Sequence, residues 1–127
     1  MKQHKEQMSL GDLIDALERL PKEASVYFDF ANFSPYTFHS YRGNYEDIAL
    51  AYNEGGLAPT VGDVRERCRI ADGSIFSGWK GGTYRMDRDT PVWVAPVGES
   101  TDTVITSVTA QNDYTVILNT TKISSDW

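Results

Sequence analysis

The residues best equipped for chemistry in this chain gather around one glycine-rich turn, Ile75-Phe76-Ser77-Gly78-Trp79-Lys80-Gly81-Gly82-Thr83-Tyr84-Arg85-Met86. Glycine takes φ > 0 without steric cost, so Gly81-Gly82 between two short apolar and aromatic runs predicts a hairpin. Trp79 and Tyr84 can stack on a base, and Lys80 and Arg85 can pair with phosphate. Tyr41 and Arg42, followed by Gly43, offer the same combination earlier in the chain. The candidate ligand set is therefore Tyr41, Arg42, Trp79, Lys80, Tyr84 and Arg85. Arg42, Lys80 and Arg85 are assigned to phosphate, Trp79 or Tyr84 to a base, and Tyr41 to further stacking. Neighbouring strand residues face opposite ways, so Trp79 and Lys80 diverge, as do Tyr84 and Arg85. One ligand can meet all of them only if the turn distorts the strands or a second subunit completes the pocket. The competing reading makes the stretch a tight hairpin of a small β core, with aromatics such as Phe76 and Trp93 buried.

Catalytic groupings are sparse, and no catalytic residue is assigned. Of two histidines, His4 lies in the terminal segment, and His39 beside Ser40 on a strand points to the opposite face, which separates base from nucleophile. Cys68 falls on the apolar face of a predicted helix and reads as a packed thiol. No cysteine or histidine spacing suits zinc, and no metal or cofactor is expected. Asp87 and Asp89 could hold a hard cation, but an aspartate-rich turn explains them equally well. The glycine turn lacks the strand-to-helix setting and trailing Ser/Thr of a phosphate-binding loop.

Composition narrows the class. A chain of 127 residues with 40% hydrophobic and 24% charged residues reads as one globular domain. No apolar run reaches the roughly 20 residues of a membrane span, and the polar amino terminus has no signal-peptide core. A lone cysteine suits a reducing cytoplasm. The net charge of −6 argues against long nucleic acid as a partner. Yet residues 65–88 hold six basic residues against three acidic ones, a local balance that suits a small anion.

These groups must be positioned by regular elements. Residues 1–8 read as a polar, disordered tail, and residues 9–127 as a single domain. Ser9 with Asp12 and Thr60 with Asp63 form capping-box pairs, which start amphipathic helices over Leu10–Leu20 and Val61–Ala71. Pro21 stops the first, and Asp72-Gly73 lets the second exit. Alternation predicts strands near Val26–Phe30, Thr37–Arg42 and Asp47–Tyr52, with a turn over Ala31–Tyr36. After Gly73 the chain reads as β: Ser74–Trp79, Thr83–Met86, Pro91–Ala95, then a terminal hairpin of Thr103–Ala110 and Tyr114–Thr120. Val104, Val108, Val116 and Leu118 are its core candidates. No internal repeat is evident. The expected fold is α+β, with two amphipathic helices packed on a mainly antiparallel sheet of about seven or eight strands.

Several motifs carry a resemblance. Ser40-Tyr41-Arg42-Gly43, Tyr45-Glu46-Asp47-Ile48-Ala49, Val61-Gly62-Asp63, Phe76 through Met86, and Thr90-Pro91-Val92-Trp93-Val94-Ala95 together resemble a family of small phage and prophage proteins. The resemblance spans about residues 9–97. It implies a phage origin and action in the cytoplasm of the infected bacterial host. Small phage proteins of this kind include anti-defence sponges, which sequester nucleotide signals. By that analogy the chain is expected to bind a cyclic oligonucleotide or ADP-ribose derivative without cleaving it, as a homo-oligomer serving immune evasion. Two alternatives stand beside it: an acidic inhibitor or adaptor that binds a host protein, and a nucleotide-cleaving enzyme.

Overall fold

The computed structural model describes residues 6–30, 33–41, 44–54, 57–77, 83–94 and 102–123. Along the chain they form α1 (Leu10–Glu18), β1 (Ser25–Phe28), β2 (Phe33–Tyr41), β3 (Asn44–Glu54), α2 (Val61–Ala71), β4 (Ile75–Ser77), β5 (Thr83–Arg85), β6 (Val92–Val94), β7 (Asp102–Asn112) and β8 (Thr115–Ile123). Both capping boxes form at the expected positions, and α2 has the expected bounds. α1 ends at Glu18, ahead of Leu20, because its last turn tightens before Pro21: the Arg19 and Leu20 N–H groups donate to the Ala16 and Leu17 carbonyls.

The α+β class holds, but a single sheet of seven or eight strands does not. Among the described residues the main sheet has six strands in the order β1-β8-β7-β6-β3-β2, while β4 and β5 pair separately as a two-stranded ribbon. The main sheet is mixed, since β1 runs parallel to β8 and β3 parallel to β6. It curls until its end strands β1 and β2 approach each other. β2 starts at Phe33, inside the stretch expected to turn, and it includes Pro35. A proline without an N–H is tolerated on a terminal strand.

Both helices cover one sheet face. Leu10, Leu13 and Leu17 of α1 and Val61, Val64 and Cys68 of α2 share a buried cluster with Val26, Phe28, Ile48, Leu50, Val92, Val94, Val116 and Leu118. Ala49, Trp93 and Val104 form a smaller buried cluster, on the other face by strand alternation. Of the core candidates, Val104 lies in the smaller cluster, while Val116, Leu118 and Val108 belong with the larger one. A bulge between Ile105 and Ser107 inserts one residue and reverses the alternation, placing Ile105 and Val108 together on the helix side. Order also begins before the expected boundary. Gln7 is buried and donates from Nε2 to the Val92 carbonyl (2.9 Å), and the Met8 N–H donates to the Ile105 carbonyl (2.8 Å).

The chain does contain a repeat. Ser9-Leu10-Gly11-Asp12-Leu13 is matched by Thr60-Val61-Gly62-Asp63-Val64, and the backbone treats the two alike. The Leu10 and Gly11 N–H groups donate to the carbonyls of Thr90 and Arg88, each at 2.8 Å. The Val61 and Gly62 N–H groups donate to the carbonyls of Ala24 and Lys22, each at 2.9 Å. Just ahead, the Met8 carbonyl accepts from the Val92 N–H (3.2 Å), and the Pro59 carbonyl from the Val26 N–H (2.9 Å). Bridges Ser9 to Pro91 and Thr60 to Ser25 complete the match. Each half is thus a helix followed by three sheet strands, α1-β1-β2-β3 and α2-β6-β7-β8. Exchanging the halves turns the parallel pair β1–β8 into β6–β3 and the hairpin β2–β3 into β7–β8. Even the bulge recurs, between Pro35 and Phe38 in β2 as between Ile105 and Ser107 in β7. Each helix therefore starts on the strand entry of the other half.

The matched glycines differ in surroundings, and opposite responses follow. A Cβ on Gly62 would meet nothing nearer than the Lys22 carbonyl at 3.5 Å, an ordinary contact. One on Gly11 would lie 2.9 Å from the Arg88 Cβ, at the root of a side chain that cannot swing away. Urea unfolding of Gly62→Ala should show a gain of about 0.5–1 kcal/mol from reduced backbone entropy, and Gly11→Ala a net loss.

Candidate functional site

The candidate site is built on the ribbon. Its base is a set of short bonds where α2 ends. Gly73, at φ 88°, occupies the left-handed region that glycine accepts without strain. The Gly73 N–H donates to the Met86 carbonyl (2.7 Å), and the Met86 N–H to the Ser74 carbonyl (2.8 Å). Ser74 Oγ donates to the Ile70 carbonyl, so the ribbon grows directly from the last turn of α2. Met86 is fully buried and roots the outgoing strand in the core. From this base β4 and β5 run antiparallel, with Ile75 opposite Arg85, Phe76 opposite Tyr84 and Ser77 opposite Thr83, and the ribbon lies against β2 and β3.

Of the candidate residues, Tyr84 sits mid-β5 opposite Phe76, and Arg85 follows it opposite Ile75. Arg85 is exposed and spends one guanidinium N–H on the Gly73 carbonyl (2.7 Å), bracing the ribbon base. Four of its five N–H groups take no part in that bond. Tyr41 closes β2 opposite Asn44, in the hairpin that the ribbon packs against. Arg42, Trp79 and Lys80 lie outside the described residues. Backbone proximity thus brings the strand bearing Tyr84 and Arg85 beside the hairpin that ends at Tyr41.

Other candidates resolve into structure. Asp87 Oδ1 accepts the Asp89 N–H (2.8 Å), and the Asp87 N–H donates to Thr90 Oγ1 (3.0 Å), the geometry of an aspartate turn. Arg88 reaches back over α1, donating to Asp15 (2.7 Å) and to the Gly11 carbonyl (3.3 Å). His39 and Ser40 occupy adjacent positions of β2. Among the described residues no group of three His, Cys, Asp or Glu is placed to hold a metal, and no described helix is long and apolar enough to cross a membrane.

Two clefts open elsewhere on the surface. One of about 480 Å³ runs along α1 between Gln7, Asp12, Asp15, Arg19 and Thr106. Of its carboxylates Asp12 is committed to the helix cap and Asp15 to Arg88, and with Glu6 their charge disfavours an anion. The other, of about 280 Å³, lies between Ser34-Pro35 and Leu57-Ala58-Pro59, with Asp63 and Arg67 at its rim. Sequence reading passed over both, because they depend on the repeat, whose signal is the pair of Gly-Asp motifs inside the two capping boxes.

The helix N-termini cannot serve as anion sites, although such ends attract phosphate in general. In α1 the first four N–H groups go to Thr90, Arg88, Ser9 Oγ and the Ser9 carbonyl. In α2 they go to Ala24, Lys22, Thr60 Oγ1 and the Thr60 carbonyl. No family model, curated protein or solved structure matches the chain.

Cys68 is fully buried, and burial pushes its thiol up from 9.0 to about 12. Native protein should resist a thiol reagent at pH 8, while urea-unfolded protein reacts at once. The unfolded thiol ionises near pH 9 and the folded one does not, so the unfolded state binds fewer protons and stability falls as pH rises from 9 toward 12. Denaturation across that range should show a shallower loss for Cys68→Ala than for the parent.

Proposed function

We propose that this protein is a non-catalytic binder that sequesters a small phosphate-bearing nucleotide, a cyclic oligonucleotide or ADP-ribose derivative, in the service of phage immune evasion within the infected host cytoplasm. One observation carries the reading. Among the described elements, the β4–β5 ribbon alone has no counterpart in the other half. Where α1 passes to β1 through a short link, α2 passes to β6 through the ribbon. An element added to a repeated frame is free of the packing duties that the frame distributes between its halves, and function gathers on such additions. This one holds Trp79, Lys80, Tyr84 and Arg85, and it lies beside the hairpin whose turn follows Tyr41 and holds Arg42.

The assigned roles use stacking for the base and charged hydrogen bonds for the phosphates. A second subunit of a homo-oligomer supplies the face that strand alternation denies to one chain. The exposed apolar side chains of Ile70 and Ile75, flanking the bond from Ser74 to Ile70, favour such an assembly. The committed carboxylates beside α1 and the buried Cys68 favour binding over cleavage of the nucleotide.

A thermal-shift screen of cyclic oligonucleotides and ADP-ribose derivatives, followed by calorimetry, tests the proposal. Arg42→Ala and Lys80→Ala should each lose ~1.5–3 kcal/mol of binding, about 10- to 150-fold in affinity, while remaining folded. Ligand released by heating should be chemically intact. Parent-like binding by both variants would move the pocket elsewhere, and a cleaved product would make the protein an enzyme.

A further inference from the structure

Asp72-Gly73, at the base of the ribbon, is the only Asp-Gly step in the sequence. Glycine has no side chain to shield its nitrogen, which can attack the carboxyl group of a preceding aspartate and close a succinimide ring. Two observations set this aspartate apart. Asp12, Asp15, Asp29, Asp63 and Asp87 each hold a partner on a carboxylate oxygen. Among the described residues the Asp72 carboxylate accepts no hydrogen bond. Beside Gly73 the space is open, since a Cβ built there would meet nothing within 4 Å, and a ring can close without a clash.

The native backbone holds this reaction off. At ψ 117° the Asp72 main chain turns the Gly73 nitrogen away from the Asp72 side chain. The Gly73 N–H is spent on the Met86 carbonyl (2.7 Å), and the Gly73 carbonyl is fixed by Arg85 (2.7 Å). Ring closure needs ψ to rotate, and both bonds resist that rotation.

We infer that Asp72 is a modification site of this protein, converting spontaneously to isoaspartate whenever the ribbon base opens. In the open state the Gly73 nitrogen gives up its proton and bonds to the Asp72 Cγ, whose hydroxyl leaves with that proton as water. Water then adds to one of the two ring carbonyls. Attack at Cγ restores aspartate. Attack at the former main-chain carbonyl leaves the backbone running through Cγ, one methylene longer. The net change is an isomerisation, with no oxidant, cofactor or enzyme. The longer backbone moves the Gly73 N–H off the Met86 carbonyl and the Ser74 hydroxyl off the Ile70 carbonyl, so the ribbon loses its anchor on α2. None of this depends on what the ribbon binds.

The test is incubation of the full chain at neutral pH beside acetyl-Ala-Asp-Gly-Ser-amide, the capped copy of residues 71–74. Electron-transfer mass spectrometry locates the isoaspartate. It should form at Asp72 in the folded chain at least about tenfold more slowly than in the peptide, because only the opened fraction reacts. Arg85→Ala, which removes the brace on Gly73, should hasten it about 3- to 10-fold, the gain in open fraction from losing one net hydrogen bond. Equal rates in chain and peptide, absence of isoaspartate at Asp72 after many peptide half-lives, or an unchanged rate in Arg85→Ala would overturn the inference. Should that variant not fold, the comparison of parent and peptide decides alone.

Discussion

Every α-helix begins with four backbone N–H groups that its own turns cannot satisfy, and this fold depends on how they are satisfied. In each helix the capping box takes two: the capping residue's own N–H donates to the aspartate three residues on, and its hydroxyl accepts that aspartate's N–H. The other two donate to a segment on its way into a strand of the opposite half: residues 88–90 for α1 and residues 22–24 for α2. These bonds set where each helix rests on the sheet. They also tie each half to the other. The apolar faces of α1 and α2 then meet over one side of the curled sheet, with Leu13 and Val64 at matched positions in the same buried cluster.

That arrangement has a consequence for recognition. The closed helix ends offer no free N–H to a phosphate, and basic side chains are concentrated in residues 65–88. The two halves share their caps, their parallel pairings and their bulges, and they differ chiefly at two places. One is the ribbon grown from the end of α2, braced by Arg85 on Gly73. The other is the segment ahead of the cap, where Ala58-Pro59 replaces Gln7-Met8. The repeated frame keeps its packing and varies at these two points.

Much of the local structure was legible in the residues. Ser9 with Asp12 and Thr60 with Asp63 announce the helices because capping is a short-range matter of side chain and nearby N–H. Tyr114–Thr120 announces β8 through its alternating pattern. What depended on distant partners was not legible. Nothing local tells β1 to lie parallel to β8, or separates β4 and β5 from the main sheet. The bulge at Ile105–Ser107 is hidden because an inserted residue leaves no compositional mark. The repeat was visible in Ser-Leu-Gly-Asp-Leu and Thr-Val-Gly-Asp-Val, but five residues gain meaning only when the segments docked on them prove equivalent. Of the candidate site, the sequence names side-chain types, and the fold adds that the ribbon and the β2–β3 hairpin are neighbours.

The central claim, two interlocked halves bearing an added ribbon, is tested most directly by native-state hydrogen exchange. The Leu10, Gly11, Val61 and Gly62 amides, together with Val26 and Val92, all donate across the junction between the halves. They should exchange through one global opening with a common free energy, and the β5 amides through smaller, local openings. If the Leu10 and Val92 amides exchange at a free energy clearly different from that of Val61 and Val26, the halves open independently and the account fails.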